Sequence, residues 1–236
     1  MATHVSRILR VLCPRYSSTF KLASTIEIVP LSSEHFRRAI EVADAQLGPG
    51  FVTPSMLSES ITRSTPPGCA FPISCTALRE GRVVGFSLVH LPGQWESDGI
   101  PVTRDAWPCS DADKAAVAYH VVVAVDPTCS GSGIGMGLSR ATEAALLATG
   151  TVRGLVGHVW EASSSAVAMS RRRGGTIVGA QKGVWLDCRD YNCSACGSPQ
   201  GGCSCDAVEV FYPIRSADAI TESAPRKPVL PVLVRD

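Results

Sequence analysis

The stretch from residue 121 to residue 146 carries the residue pattern that points most directly to chemistry. A valine-rich run at 121–125 ends at Asp126-Pro127, four glycines follow at alternate positions between 131 and 137, and an apolar helical pattern continues to residue 146. Proline ends a strand, and glycines allow tight turns that leave backbone N–H groups bare at the start of a helix. Because the helix dipole favours negative charge at that end, we interpret the stretch as a phosphate-binding loop.

Two common phosphate-binding loops do not fit this stretch. The loop of nucleoside triphosphatases needs Lys and Ser or Thr after its last glycine, and Met136-Gly137-Leu138 supplies neither. A dinucleotide-binding loop needs G-x-G-x-x-G directly at the end of the strand, whereas here a D-P-T-C-S spacer intervenes and the third position falls on Met136 or Leu138. The first class is excluded and the second is disfavoured.

The arrangement resembles the signature of the GCN5-related N-acetyltransferase (GNAT) family, which is V-x-P, two or three residues, and then [Q/R]-x-x-G-x-[G/A] entering a helix. Val125, Pro127, Gly133 and Gly135 occupy the matching positions, and Ser130 stands where the family has Arg or Gln. The resemblance implies that acetyl-CoA binds this loop and the adjacent strand. The residues so implied are Val123, Val125, Ser130, Gly131, Ser132, Gly133, Ile134, Gly135, Met136 and Ser163.

A second segment, residues 159–175, follows the family's downstream pattern without a gap. Three positions differ: Ser163 replaces Asn, Ser170 replaces the Tyr often used as general acid, and Gly175 replaces Phe. The resemblance implies an N-acetyltransferase that moves an acetyl group directly from acetyl-CoA to an amine of a small molecule or a protein. A non-catalytic acyl-CoA-binding protein with a zinc-stabilised interaction surface is the alternative.

Direct transfer to an amine needs a group that takes a proton from nitrogen and a route for returning one to the leaving thiolate. Glu161, at the end of its strand, and His120, on the central strand, are the predicted bases, either of them acting through a water. Each also has a structural interpretation, as a helix cap and as a satisfied core histidine. We expect Glu161→Gln to lower turnover more than His120→Ala. For the acid, Tyr119, Tyr191, solvent or unassisted departure of the thiolate stay open.

Five of the ten cysteines lie between residues 188 and 205. Two close pairs on glycine-rich turns, in the spacing C-x2-C-x6-C-x-C, bring four sulfurs to one point, and tetrahedral zinc is the ion that suits them. Disulfides or free thiols are the alternative. Because no ligand position is left for water, the site is predicted to be structural. The predicted zinc ligands are Cys193, Cys196, Cys203 and Cys205.

Composition limits the remaining functions. With 236 residues, 45% of them hydrophobic, the chain can bury one sizeable core, and its net charge of +1 excludes a large basic surface for nucleic acid. No apolar run reaches the ~18 residues of a membrane span, so we expect no membrane partner. We expect the protein to be a monomer or a homodimer. Residues 1–25 carry four Lys and Arg residues and no acidic residue, which is typical of a mitochondrial or other organelle transit peptide. A disordered start of a cytoplasmic protein is the alternative.

The elements predicted to position these residues follow the order β-α-α-β-β-β-α-β-α-β-β, beginning with a strand at Ile26. This order indicates an α/β fold with a central mixed sheet flanked by helices, the GNAT-like architecture that the resemblance also implies. We assign residues 26–215 to the acetyltransferase domain, with the cysteine-rich insertion at 188–205, and residues 216–236 to a disordered tail.

Two further segments carry predictions, the loop 92–114 and the segment around residues 51–56. The loop 92–114 contains Trp95 and Trp107, which favours a packed rather than a floppy segment. Phe51, Val52 and Met56 either line an acceptor pocket or belong to the ordinary core.

Overall fold

The computed structural model describes residues 20–22, 26–183, 192–198 and 203–214. Most of the predicted transit peptide, the predicted C-terminal tail, Tyr191 and part of the cysteine-rich insertion lie outside the described residues.

The core of the molecule is one mixed β-sheet. Its strands are β1 (Phe20–Leu22), β2 (Ile26–Pro30), β3 (Cys75–Arg79), β4 (Arg82–His90), β5 (Val117–Val125), β6 (Gly154–Trp160), β7 (Thr176–Gln181) and β8 (Ala207–Pro213). They lie in the spatial order β1-β2-β3-β4-β5-β6-β8-β7. Neighbours are antiparallel except β5 and β6, which run parallel. The predicted mixed sheet flanked by helices is therefore confirmed.

Helices cover both faces of this sheet. They are α1 (Phe36–Gln46), α2 (Pro54–Ser64), α3 (Asp111–Lys114), α4 (Ile134–Thr149) and α5 (Ser164–Arg172). On one face, Val42 of α1 and Leu57 of α2 pack in a cluster with Phe86 of β4. On the other face, Leu146 of α4 packs in a cluster with Leu155 of β6. No helix in the described part of the chain has the length and apolarity needed to cross a bilayer.

The long loop between β4 and β5 is packed on the sheet, as predicted. Trp95 and Trp107 are 1% and 3% exposed and join Tyr119 and Phe211 in one cluster. This cluster shares Val121 with the cluster beneath α1 and α2, so the loop covers the same face as those helices. The Trp95 indole N–H donates to the carbonyl of residue 117 at 3.0 Å, which fixes the loop to β5.

The predicted elements occur in the predicted order, and the structure adds two short ones, the strand β1 and the helix α3 at the end of the loop 92–114. The sheet begins before Ile26, because β1 pairs antiparallel with β2; three residues are too few to show an alternating pattern in the sequence. β7 ends at Gln181, and Gly183 then turns the backbone with a φ of 60°.

Candidate active site

The two parallel strands at the centre of the sheet separate halfway along their length. Their pairing runs from Val117 opposite Gly154 to His120 opposite Gly157 and ends there, although β5 and β6 both continue. The β4–β5 register also shifts at this point, which leaves Val121 as the extra residue of a β-bulge. The far halves of β5 and β6 therefore leave backbone groups open between them.

A cavity of about 690 Å³ occupies this opening and extends to the start of α4. Its volume lies in the range of small-molecule and cofactor sites. The predicted coenzyme residues that line it are Val123, Val125, Ser130, Gly131, Gly133, Ile134, Gly135, Met136 and Ser163. Ser132 is not among the lining residues: it is exposed, and its hydroxyl donates to the Cys129 carbonyl at 2.5 Å.

The loop before α4 presents backbone N–H groups to this cavity. Gly131 and Gly133 have φ angles of 77° and 82°, which glycine adopts without strain. The first hydrogen bond of the helix runs from the Gly137 N–H to the Gly133 carbonyl at 2.9 Å, so the N–H groups of residues 134–136 have no acceptor within the helix. A Cβ built on Gly131 or Gly133 meets nothing within 4 Å. This geometry, with free N–H groups at a helix N-terminus, is of the kind that suits an anion.

Asp126 fixes the beginning of this loop. Its carboxylate accepts hydrogen bonds from the Thr128 N–H at 3.0 Å and the Thr128 hydroxyl at 2.7 Å, and it pairs with Arg38 of α1. The bonds from Thr128, with a smaller effect of Arg38, hold the pKa of Asp126 below its ordinary value. The loop is thus anchored to both α1 and its own backbone.

His120 lines the cavity from the α4 side of the sheet. Its Nε2 lies 3.0 Å from the Ser87 hydroxyl, which lies 3.0 Å from the Thr142 hydroxyl of α4. Burial, assisted by the charge of Arg173, lowers the pKa of His120 to about 3. The imidazole is therefore neutral near pH 7 and is held by hydroxyl groups behind it. Gly157 allows the two strands to approach closely, since a Cβ there would lie 3.0 Å from both the Cβ and the carbonyl oxygen of His120.

Glu161 lies in the exposed turn after β6 and does not line the cavity. Its backbone N–H donates to the Asp206 carbonyl at 3.0 Å, and the N-cap of α5 is Ser163. Of the two predicted bases, the structure thus brings only His120 to the cavity. The catalytic roles of both residues stay predictions.

Near α5, other side chains occupy the space that the family pattern gives to larger residues. The Ser170 hydroxyl donates to the Ala166 carbonyl of its own helix at 2.9 Å. A Cβ on Gly175 would lie 2.5 Å from the ring of Tyr212, which also lines the cavity. The Arg173 guanidinium stacks on that ring at 4.1 Å. The sequence pattern gives no signal for Tyr212, because its strand reaches the site from beyond the cysteine-rich segment.

Two aromatic residues form part of the cavity lining. Phe51 and Trp160 meet edge to face there, with ring centroids 6.1 Å apart, and both line the cavity. Val52 is 2% exposed and packs with Met56 in the core beneath α1 and α2. Of the three candidate acceptor residues, Phe51 is the one that faces the cavity.

Tyr119 and His158 both line the cavity and form a polar pair that the sequence does not predict. The Tyr119 hydroxyl lies 3.0 Å from Nδ1 of His158. Burial lowers the pKa of His158, whereas the nearby Glu209 and the Pro101 carbonyl act in the opposite direction. Only the pairing of two strands separated by a helix brings the residues together, and sequence spacing does not report it.

The four predicted zinc ligands converge. The Sγ atoms of Cys193, Cys196, Cys203 and Cys205 all lie within 4.8 Å of one another. Cys193 and Cys205 are 3.8 Å apart and Cys196 and Cys203 are 4.0 Å apart, well beyond the ~2.05 Å of a disulfide. Thiolates at ~2.3 Å from a tetrahedral zinc ion are about 3.8 Å apart, so the cluster fits zinc.

The cysteine loop docks against the two aromatic residues that line the cavity, Phe51 and Trp160. Cys193 and Cys203 are buried against Phe51 and Trp160. The loop is held by backbone hydrogen bonds from Asn192 to the Pro49 carbonyl at 3.1 Å and from Ser194 to the Leu47 carbonyl at 3.0 Å. The cluster therefore supports the part of the cavity lining that Phe51 and Trp160 form.

Comparisons at the level of sequence give no match, either to a model of a known protein family or to a curated protein. Comparison of structures does. The chain is similar to the ribosomal-protein-S18-alanine N-acetyltransferase of Escherichia coli, with a TM-score of 0.54 and 15% identity over 81% of this chain and 96% of that one. An N-acetyltransferase of Staphylococcus aureus Mu50 gives 0.54 and 16% over 81% and 100%.

A third similar structure contains a ligand. The GNAT-superfamily phosphinothricin acetyltransferase of Sinorhizobium meliloti, in complex with acetyl-CoA, has a TM-score of 0.54 and 16% identity over 88% of this chain and 96% of that one. These likenesses cover nearly the whole of each neighbour, at an identity that reports on fold. The chain thus has the fold of the GNAT acetyltransferases, with a four-cysteine loop added between its last two strands.

Proposed function

We propose that this protein is an acetyl-CoA-dependent N-acetyltransferase that transfers the acetyl group directly to an amine of a small molecule or a protein. The observation that carries the proposal is one continuous cavity joining the open N-terminus of α4 to the gap between β5 and β6. An anion site at one end and unpaired strand edges in the middle suit a ligand with a diphosphate and an extended amide arm. Acetyl-CoA has both parts.

The proposed binding mode follows the lining residues. The backbone N–H groups of the loop 130–136 hold the diphosphate, and the β5 backbone at Val123 and Val125 holds the pantetheine arm and polarises the thioester carbonyl. Preorganised backbone donors of this kind stabilise the oxyanion that forms on attack. Ser130 suits this mode because backbone amides, and not the side chain at 130, supply the donors.

We also propose that the four cysteines bind one structural zinc ion. The support is the convergence of four sulfurs at distances that suit tetrahedral coordination. The ion would stabilise the loop that docks against the α1–α2 connection, and with four thiolates it has no position left for a substrate.

The alternative, a non-catalytic acyl-CoA-binding protein, has one observation in its favour. The Ser170 hydroxyl stands where many GNAT enzymes have their acid, and it is engaged by its own helix. Both functions require binding of acetyl-CoA, and only the enzyme releases CoA in the presence of an amine. Acetyl-CoA with tryptamine, spermidine and an N-terminal alanine peptide separates the two.

The coenzyme site is tested by a matched pair of glycine substitutions. Gly131 and Gly93 both have φ of 77° and open space at the Cβ position, but only Gly131 lines the cavity. We expect Gly131→Ala to weaken binding of acetyl-CoA in calorimetry by roughly 10- to 100-fold, since a lost hydrogen bond to a charged group costs about 1.5–3 kcal/mol. Gly93→Ala carries the same backbone strain and should bind as the wild type does.

Two results would contradict the proposal. Absence of acetyl-CoA binding by the wild-type protein removes both candidate functions. Equal affinity in Gly131→Ala and Gly93→Ala places the diphosphate elsewhere.

A further inference from the structure

Two polar side chains meet at the apex of the gap between β5 and β6. Tyr119 belongs to the paired part of β5, opposite Val156, and His158 is the first residue of β6 beyond the pairing. The Tyr119 hydroxyl is 3.0 Å from His158 Nδ1, and both side chains line the cavity. The pair therefore spans the point at which the two strands diverge.

The pair lies on the opposite face of the sheet from the glycine loop. Tyr119 stacks on Trp95, with ring centroids 5.2 Å apart, in the layer that covers the same face as α1 and α2. The neighbouring His120 points to the other face, where it reaches Thr142 of α4 through Ser87. The coenzyme diphosphate belongs at the start of α4, so an acceptor approaching from the side of α1 and α2 meets the pair first.

A buried carboxylate supports the imidazole of this pair. Glu209 is opposite His158 in the β6–β8 register and is fully buried. It accepts hydrogen bonds from the Trp107 indole N–H and the Thr103 N–H, both at 2.7 Å. Arg104 lies on the two tryptophan rings of that layer, 5.3 Å from each centroid. Burial lowers the pKa of His158, and the negative charge of Glu209 opposes this, so Glu209 favours the imidazolium that forms when His158 accepts a proton.

We propose that the Tyr119–His158 pair removes the proton from the acceptor amine in the transfer reaction, an inference that rests on the proposed function. Tyr119 is the catalytic residue that contacts the nitrogen, and His158 is the positioning residue that takes the phenol proton on Nδ1. An ammonium acceptor gives one proton to Tyr119 as the Tyr119 proton passes to His158, which later releases it to solvent. The amine then attacks, the C–N bond forms, the C–S bond breaks, and the second nitrogen proton goes to the thiolate.

The test compares Tyr119→Phe and His158→Gln with a matched control. His90 is also buried on a central strand and also pairs with a hydroxyl, its Nε2 lying 3.2 Å from Ser60 Oγ, but it does not line the cavity. With acetyl-CoA and the three amines named above, we expect kcat/KM to fall about 100-fold in both test variants, the usual contribution of a positioned base. Protonation of His158 should lower the wild-type rate at acid pH, and this contribution should be absent in His158→Gln. Acetyl-CoA affinity should be unchanged, and His90→Gln should behave as the wild type.

The outcomes separate this inference from the proposed function. Wild-type turnover that survives in Tyr119→Phe and His158→Gln overturns the inference alone, and a loss confined to Glu161→Gln assigns the base to that residue. Absence of wild-type turnover with all three amines argues against the proposed function instead. In that case, nitrogen-15 NMR of the imidazoles decides the placement, since a His158 signal that does not respond to acetyl-CoA overturns the inference too.

Discussion

At the scale of single residues, two histidines at the same apex have opposite surroundings. His120 is enclosed on the α4 side by Ser87 and Thr142, and no acidic group contributes to its pKa. His158 lies on the other face beside Tyr119; burial lowers its pKa too, but the charge of Glu209 opposes this shift and favours the protonated form. Adjacent positions along a strand point to opposite faces, so the sheet gives one histidine a structural environment and the other an environment suited to proton transfer.

His120 makes the stability of the protein sensitive to acid. Its pKa is about 3 in the folded protein and 6.5 without the fold, so below pH 6.5 the unfolded chain binds more protons and stability falls as the pH falls. Between pH 7 and pH 5 the loss amounts to about 2 kcal/mol. We expect His120→Gln to lack this part of the loss when the free energy of unfolding in urea is measured at both pH values. Equal losses in the two proteins would contradict the assigned environment.

The glycine loop and the Tyr119–His158 pair show which parts of the site could be predicted from the sequence. The shape of the glycine loop could, because Pro127, Gly131 and Gly133 determine its backbone geometry locally. The pair of Tyr119 and His158 could not, because it depends on where the pairing of two distant strands stops. A spacing of 39 residues along the chain carries no record of that register.

At the scale of elements, the cysteine loop is joined to the α1–α2 connection by close backbone contact. Gly48 has a φ of 117°, and a Cβ built on it would lie 1.6 Å from the Asn192 carbonyl oxygen. No side chain can be accommodated there without moving one of the two segments. The spacing of the cysteines predicts that they converge. It does not predict this docking site, because the contact joins segments about 140 residues apart.

A substitution at Gly48 should therefore undock the cysteine loop. We expect Gly48→Ala to lower the free energy of unfolding by roughly 1–3 kcal/mol more than Gly68→Ala does, from loss of the backbone hydrogen bonds of Asn192 and Ser194. Gly68 is the control because it also has a positive φ, of 75°, and open space at the Cβ position, so an alanine there meets backbone strain without a steric clash. Urea unfolding of both variants with zinc present measures the difference, and equal stability would show that the loop docks elsewhere.

At the scale of the whole molecule, different parts of the chain support different parts of the cavity lining. The glycine loop and the start of α4 pack with β5 in one core cluster of the sheet. Phe51 and Trp160 pack against the cysteines of the added loop. Loss of the metal should thus affect the two substrates differently.

Removal of the proposed zinc ion tests whether the cysteine loop supports the lining at Phe51 and Trp160. We expect chelation, or Cys196→Ser, to raise the KM for the amine and leave the Kd for acetyl-CoA unchanged, because the cysteines of the loop pack against Phe51 and Trp160. Cys196 is exposed, so its substitution removes a ligand without opening the core, and Cys69→Ser, outside the cluster, is the control for loss of a thiol. Metal analysis should find about one zinc ion per chain in the wild type and less in Cys196→Ser. A parallel loss of acetyl-CoA affinity would mean that the metal stabilises the entire fold, and an unchanged KM would mean that the loop does not support the acceptor wall.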